Sequence, residues 1–125
     1  MSDTVTLEFP AETRNVALAR TVAAAMAARV DLPLDQLEDV RLAVDEAVTQ
    51  AIAVAKSGSS VTCAFETDGN VLRATITTPT DALETPSTTS FGWTVLSALV
   101  DSAAADLSDG HLAIRLQVTS DLVDV

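Results

Sequence analysis

The sequence predicts an α+β fold, a two-layer sandwich with helices on one face of a mixed sheet, and three observations carry that prediction. Apolar residues alternate with polar ones at Val5, Leu7 and Phe9, at Val61, Cys63 and Phe65, and at Leu72, Ala74 and Ile76, the period of half-buried strands. Between the first and second of these runs, apolar side chains return at helical spacing, in two stretches parted by a proline. Asp68-Gly69-Asn70 and Asp109-Gly110 supply the tight turns that antiparallel strands need.

Taken in order, the first strand centres on Val5 to Phe9 and ends at Pro10, which cannot donate to a ladder. From Ala11 to about Arg29 the chain is rich in Ala and free of Gly and Pro, and Val16, Ala19, Val22, Ala23 and Met26 mark one apolar face of a first helix. Asp31-Leu32-Pro33 interrupts it. Pro33 opens a second helix, with Asp35, Glu38 and Asp39 near its positive end. Leu37, Val40, Val44, Ala47, Val48 and Ala51 form its buried stripe, and Lys56 to Ser60 closes it. A hairpin follows, turning at Asp68-Gly69-Asn70. Thr77 to Thr89 reads as a loop, a third helix is expected from about Phe91 to Ala105, and a last strand from His111 to Thr119. The expected order is strand, helix, helix, strand, strand, helix, strand, as one domain over residues 1–125.

Composition narrows the function classes. Eighteen acidic residues against seven basic ones give a net charge of −11, so direct binding to nucleic acid is disfavoured and a basic protein partner fits better. No apolar run approaches the roughly 20 residues that span a bilayer, and the N-terminus lacks the regions of a signal peptide, so no membrane contact and a cytoplasmic location are expected. Cys63 is the only cysteine, which excludes an internal disulfide and reads as a small buried strand residue. His111 stands alone at a strand start and reads as structural or solvated. Trp93 and Phe91 read as core or interface anchors.

The densest chemistry lies in Arg41-Leu42-Ala43-Val44-Asp45-Glu46-Ala47-Val48-Thr49-Gln50-Ala51-Ile52. Glu46 and Gln50 are four residues apart in a helical run, so their side chains leave one face a turn apart. On the residues alone, Glu46 is either a site carboxylate or a solvated charge beside Arg41 and Asp45. The run resembles the N-box helix of the GHKL ATPase superfamily, specifically the anti-sigma-factor serine kinases (RsbW-like), with Gln50 standing where that family has a Mg-binding Asn. The resemblance extends to Leu7-Glu8-Phe9-Pro10-Ala11, to Asn15, Ala19 and Arg20, to Gly92-Trp93-Thr94-Val95-Leu96 and Asp101, and to Gly110 and Ile114-Arg115-Leu116. It implies the histidine-kinase-like ATPase (Bergerat) fold, with Glu46 as general base and Gln50, Thr78, Ser90 and Gly92 at the positions that would hold ATP and Mg.

The departures from that pattern imply a degenerate nucleotide site. Thr78 stands where the family has the Asp that bonds the adenine amino group, and a threonine offers no charged acceptor. Ser90 replaces the first glycine of the second glycine box, leaving Gly92, and the lid between the boxes has shortened to about ten residues. An extra methylene in Gln50 moves the amide by roughly 1.3 Å, which weakens a Mg ligand set that needs near-octahedral geometry. Independently of any family, no Lys or Arg lies between Arg73 and Arg115, where a triphosphate would need one.

The resemblance then implies an anti-sigma factor that sequesters an alternative sigma factor, acts as a homodimer and is released by an anti-anti-sigma protein of the STAS type. Arg14, Asn15 and Arg20 would meet the partner; on residues alone Arg20 is equally an ordinary exposed helix arginine. A vestigial Glu46 and no working cofactor are expected. Two alternatives stand beside this reading: an ATP-dependent serine kinase with Gln50 as an unusual Mg ligand, and a binding module with another regulatory partner.

Overall fold

The computed structural model describes residues 2–122; Met1 and residues 123–125, the two ends of the expected 1–125 domain, lie outside them. Five strands form one sheet in the order β1-β2-β3-β5-β4, where β1 is Ser2–Pro10, β2 Ser60–Asp68, β3 Val71–Pro79, β4 Ser102–Ser108 and β5 His111–Thr119. Every neighbouring pair is antiparallel, so the sheet is not mixed as expected from sequence. The reason is the extra strand β4: it pairs with β5 through a two-residue loop and lines up antiparallel like the other hairpin. Asp109 (φ 53°) and Gly110 (φ 75°) both take positive φ in that loop, the backbone hand that matches strand twist.

Helices α1 (Val16–Arg29) and α2 (Leu34–Val54) follow β1, and α3 (Phe91–Leu99) precedes β4. The first helix starts later than Ala11, after a 3-10 turn at Thr13–Asn15. Its end is set by Asp31 at φ 55°, with Asp31 N–H donating to Ala28 O (3.1 Å) and Leu32 N–H to Ala27 O (3.2 Å). This is a paired C-terminal cap in which Asp takes the left-handed position usually given to Gly. Pro33 stands just before α2, and its carbonyl accepts from Leu37 N–H at 2.9 Å.

The third helix is shorter than the sequence suggested. It ends at Leu99, and residues 102–105, expected as its last turn, belong to β4. Alanine's high helix propensity hid a strand whose alternation is nonetheless present, with Ala103, Ala105 and Leu107 half-buried and Ser102, Ala104, Asp106 and Ser108 exposed. A sheet edge that closes on the core with small side chains lets tertiary context override propensity.

The core lies between the sheet and the helices. Val61, Cys63 and Phe65 of β2, Ile76 of β3 and Leu112 and Ile114 of β5 meet Val44, Ala47, Val48 and Ala51 of α2. Ala19, Ala23 and Ala27 of α1 are fully buried, and small side chains there allow α1 to lie close to α2. Trp93 and Leu96 anchor α3, whereas Phe91 is 84% exposed and anchors nothing within the chain. His111, exposed, places Nδ1 3.0 Å from Asp109 O in the β4–β5 turn, in keeping with a structural part. No helix among the described residues is long and apolar enough to cross a membrane.

Burial pushes the Cys63 thiol from its ordinary 9.0 up to about 12, because the thiolate would lose its hydration. The folded protein therefore holds this proton more tightly than the unfolded chain. The associated stability is complete below about pH 9 and is lost as pH rises toward about 12, at about 1.4 kcal/mol per pH unit. Urea unfolding at pH 8 and pH 10.5 should show this slope in the wild type and lose it in Cys63→Ala. Equal slopes in both proteins would show that Cys63 is not the group responsible.

Candidate functional site

A cleft of about 510 Å³ opens between α2, the start of α3 and the segment that joins β3 to α3. Four of the five residues that the sequence marked for a nucleotide line it: Glu46 and Gln50 from α2, and Ser90 and Gly92 from the start of α3. The one-turn spacing brings Glu46 and Gln50 into contact, and Gln50 Nε2 donates to Glu46 Oε1 at 3.0 Å. That bond fixes the amide orientation and turns Gln50 Oε1 away from the carboxylate. Gln50 Oε1 is then buried without a hydrogen-bond partner among the described residues. A buried carbonyl lacking a donor costs about 1–3 kcal/mol, so the site carries an acceptor that is not served.

Glu46 also faces the start of α3. Ser90 caps that helix, its Oγ accepting from Trp93 N–H at 3.1 Å. Ser90, at the position where the resemblance implies a glycine, is thereby a favourable N-cap of α3. Gly92 lies so close to α2 that a methyl group placed on it would overlap Glu46 Oε1 and stand 3.1 Å from Gln50 Nε2. The positive end of α3 is thus met by the protein's own carboxylate.

Thr78 is not among the residues that line the cleft. It is 1% exposed within β3, and its hydroxyl donates to Ser60 O at 3.1 Å. The position expected to meet a base instead ties β3 to β2, because the β3 alternation turns it inward. Its neighbour Thr80 does comparable work, donating to Val54 O (2.6 Å) and accepting from Ala82 N–H (3.0 Å), which fixes the root of the loop to the end of α2.

The remaining lining was not marked by the sequence. Ala53, Val54, Ala82, Pro86, Leu107 and Leu112 give apolar walls, Thr85 and Ser87 add hydroxyls, and Glu84 adds a second carboxylate at the exposed rim. Leu107 could have been found only by recognising β4, and Glu84 carries no signal beyond its place in the loop. None of the lining residues is cationic. Lys56, the residue that follows the bridge between Ala55 and Thr80, is paired with Asp81 at 3.5 Å. Among the described residues there is no group of three or more His, Cys, Asp or Glu side chains placed to hold a metal.

The three residues expected to meet a partner lie at the start of the helical layer. Arg14 Nε pairs with Glu12 at 2.6 Å with 79% of its side chain exposed, and Asn15 Nδ2 donates to Pro10 O at 2.9 Å. Arg20 is not simply exposed. Its guanidinium donates to Asp45 Oδ2 at 2.7 Å and ties α1 to α2 one residue from Glu46. Arg41 pairs with Glu38, not with Glu46 (2.8 Å).

The contact at Gly92 makes a quantitative expectation. Gly92→Ala should displace the Glu46 carboxylate and break its bond to Gln50, a loss of about 1 kcal/mol that largely cancels the roughly 0.5–1 kcal/mol that alanine gains over glycine in a helix. In a Glu46→Ala background the same change should be stabilising, so chemical denaturation of the four proteins should give a coupling of about 1 kcal/mol. Additive effects would mean that α3 does not rest on Glu46.

Comparison with known proteins places this geometry. Residues 9–118 match the family described as the histidine kinase-like ATPase domain. The anti-sigma-F factor RsbW of Mycobacterium tuberculosis is 35% identical over 99 residues, 78% of this chain and 58% of that protein. The anti-sigma F factor of Clostridium beijerinckii is 43% identical over 53 residues, 42% of this chain and 37% of that one. The chain therefore spans less than two thirds of the length of either relative. The crystal structure of the RsbU and RsbW domains of a Mycobacterium tuberculosis protein has the same fold, with a TM-score of 0.70 at 17% identity over 94% of this chain and 32% of that one. With an antiparallel sheet under one helical layer, a cleft beside Glu46 and Gln50, and 9–118 matched throughout, the chain belongs to the histidine kinase-like ATPase domain family.

Proposed function

We propose that this protein is an anti-sigma factor that holds a sigma factor by competition among partners, without a working ATP cycle. The observation that carries the reading is its 35% identity, over 78% of the chain, to a protein named as an anti-sigma-F factor. The net charge of −11 supports a basic partner surface, since complementary charge favours encounter and register. In this proposal the protein works in the cytoplasm as a homodimer and is displaced from the sigma factor by an anti-anti-sigma protein of the STAS type.

The cleft supports the second half of the proposal. A triphosphate carries up to four negative charges, of which a bound magnesium ion offsets two, and it would bring the remainder to walls that already carry Glu46 and Glu84 and no cation. At an effective dielectric near 20, two like unit charges about 5 Å apart repel by roughly 3 kcal/mol. The start of α3 would ordinarily favour a phosphate, but Glu46 already lies against it. With Thr78 turned into the core, the residues present do not fit this nucleotide, and no step of the mechanism runs through it. Glu46 is then a positioning group for α3, and Gln50 is its hydrogen-bond donor.

Partner binding is proposed for the face formed by Arg14 and Asn15 of the 3-10 turn and Arg20 of α1. Arg20 has 39% of its side chain exposed while it is held by Asp45, so it is oriented yet still accessible. An acidic partner residue arriving there would share a guanidinium that has already lost part of its rotamer freedom, which lowers the cost of forming the contact.

Two measurements test the proposal. After the partner has been identified by copurification and mass spectrometry, Arg20→Glu should weaken its binding by about 2 kcal/mol, roughly thirtyfold, and Asp45→Asn should weaken it much less. Equal losses would assign the effect to the α1–α2 tie instead. Calorimetry with Mg-ATP should give a dissociation constant in the millimolar range or weaker, and labelled phosphate should not pass to the antagonist. Binding near 10 μM with Glu46-dependent transfer would replace this proposal by the serine-kinase reading.

A further inference from the structure

We infer that the cleft beside Glu46 is a receptor for an organic cation, a guanidinium, amidinium or ammonium head carried on a small apolar body. Neither the family nor the similarity to anti-sigma factors assigns such a ligand, and the inference does not depend on the sigma-factor reading.

The chemistry of the walls leads to it. At about 510 Å³ the cleft is large enough for a small organic molecule, and its apolar part, with Leu107 and Leu112, suits a hydrocarbon or aromatic body. Its polar side chains are Glu46, Gln50, Glu84, Thr85, Ser87 and Ser90, and the two serine hydroxyls are already engaged, Ser90 Oγ donating to Ser87 O at 2.9 Å and Ser87 Oγ paired with Thr89 Oγ1 at 2.8 Å. Glu46 brings a carboxylate whose Oε1 already takes one bond from Gln50, leaving Oε2 without a protein donor among the described residues. Gln50 Oε1 has no donor among the described residues, and Glu84 adds charge at the rim. A site lined by two carboxylates, with no Lys or Arg, lacks positive charge.

Each other ligand class meets an objection. An anion is repelled by Glu46 and Glu84, and the one local feature that would attract it, the start of α3, is already faced by Glu46. A bare metal ion finds no group of three His, Cys, Asp or Glu side chains among the described residues. A neutral apolar molecule would fill the walls but leave Gln50 Oε1 unserved and drive water from Glu46 without return. A guanidinium or amidinium has several N–H donors in one plane, so one head can address acceptors that leave α2 a single turn apart. For the Gln50 oxygen to join, the amide must turn and give up its bond to Glu46 Oε1, which an N–H of the ligand then replaces.

The head could arrive on a free small molecule or on an arginine of a peptide. The chemistry at Glu46 and Gln50 is the same for both, and the experiment separates them.

Calorimetry and amide NMR should be run on the full chain with benzamidine, its uncharged analogue benzamide, agmatine, and a tetrapeptide carrying one arginine among apolar residues. Benzamidine should bind at least tenfold more tightly than benzamide and shift the Gly92 backbone and Gln50 side-chain signals. Glu46→Gln should weaken it at least tenfold, and rising salt should weaken it further. Glu84→Lys, on the exposed loop, keeps the test valid if Glu46→Gln perturbs folding, and should weaken benzamidine several-fold at an unchanged melting temperature. A peptide that binds at least tenfold more tightly than agmatine identifies a partner's arginine as the source; equal or weaker binding identifies a free molecule. The inference is overturned if benzamidine and benzamide bind alike, if the shifts fall outside the cleft, or if Mg-ATP binds more tightly than every cation. Cation binding without capture of a sigma factor, or the reverse, keeps this result separate from the proposed function.

Discussion

The structure depends on a double demand placed on α2. One side of this helix must fill the core, and Val40, Ala43, Val44, Ala47, Val48 and Ala51 do so at 3% exposure or less. The other residues of the same turns must make every connection that shapes the surface above: Asp45 reaches α1 through Arg20, Glu46 meets α3 at Gly92, and Gln50 holds Glu46. Because helical geometry interleaves these two sets, a shift of α2 in the core is a shift of the cleft wall. The alanines along the seam with α1 serve the same end. They let the two helices approach closely, and a close approach fixes the position of Arg20 relative to Asp45.

What the sequence made legible follows from how local each signal is. The apolar stripe of α2 and the alternation of β2 and β3 are properties of contiguous residues, and both elements lie where the pattern puts them. The Glu46–Gln50 pair is legible for the same reason, since four residues along a helix fix a contact before any tertiary structure is known. β4 was not legible, because Ala103, Ala104 and Ala105 favour a helix in isolation and become a strand only by pairing with β5. Missing β4 concealed Leu107 as a cleft wall and led to a mixed sheet in place of an antiparallel one. Thr78 was legible in a different way. The motif marked it as the place where the adenine-bonding Asp is lost, and the period of β3 adds that its side chain turns inward.

Arg20 shows the limit of reading surfaces from sequence. Nothing local distinguishes an exposed arginine on α1 from one that crosses to α2, because Asp45 lies twenty-five residues away in sequence. The pair is partly exposed, so its own contribution to stability is small, within about 1 kcal/mol. Its effect is on orientation. A guanidinium that already has one carboxylate presents its remaining donors in a fixed plane, and a fixed plane is what a specific contact requires.

The replacement expected to weaken a metal ligand, Gln50, is better understood by what its extra methylene permits. A longer amide on the same helix reaches back one turn and donates to Glu46, so a carboxylate and an amide that could each have faced a ligand become an internally bonded pair. The bond holds Glu46 against the positive end of α3, where an anion would otherwise bind, and leaves the amide oxygen without a partner. One side chain thus ties an amide and a carboxylate of the cleft to each other while leaving the backbone of the fold untouched. The lining acts with it: Glu84 at the rim and the absence of any lining cation also disfavour an anion. Within one fold family, then, the charge and reach of a few wall residues decide ligand class, and the antiparallel sheet beneath them is indifferent to the outcome.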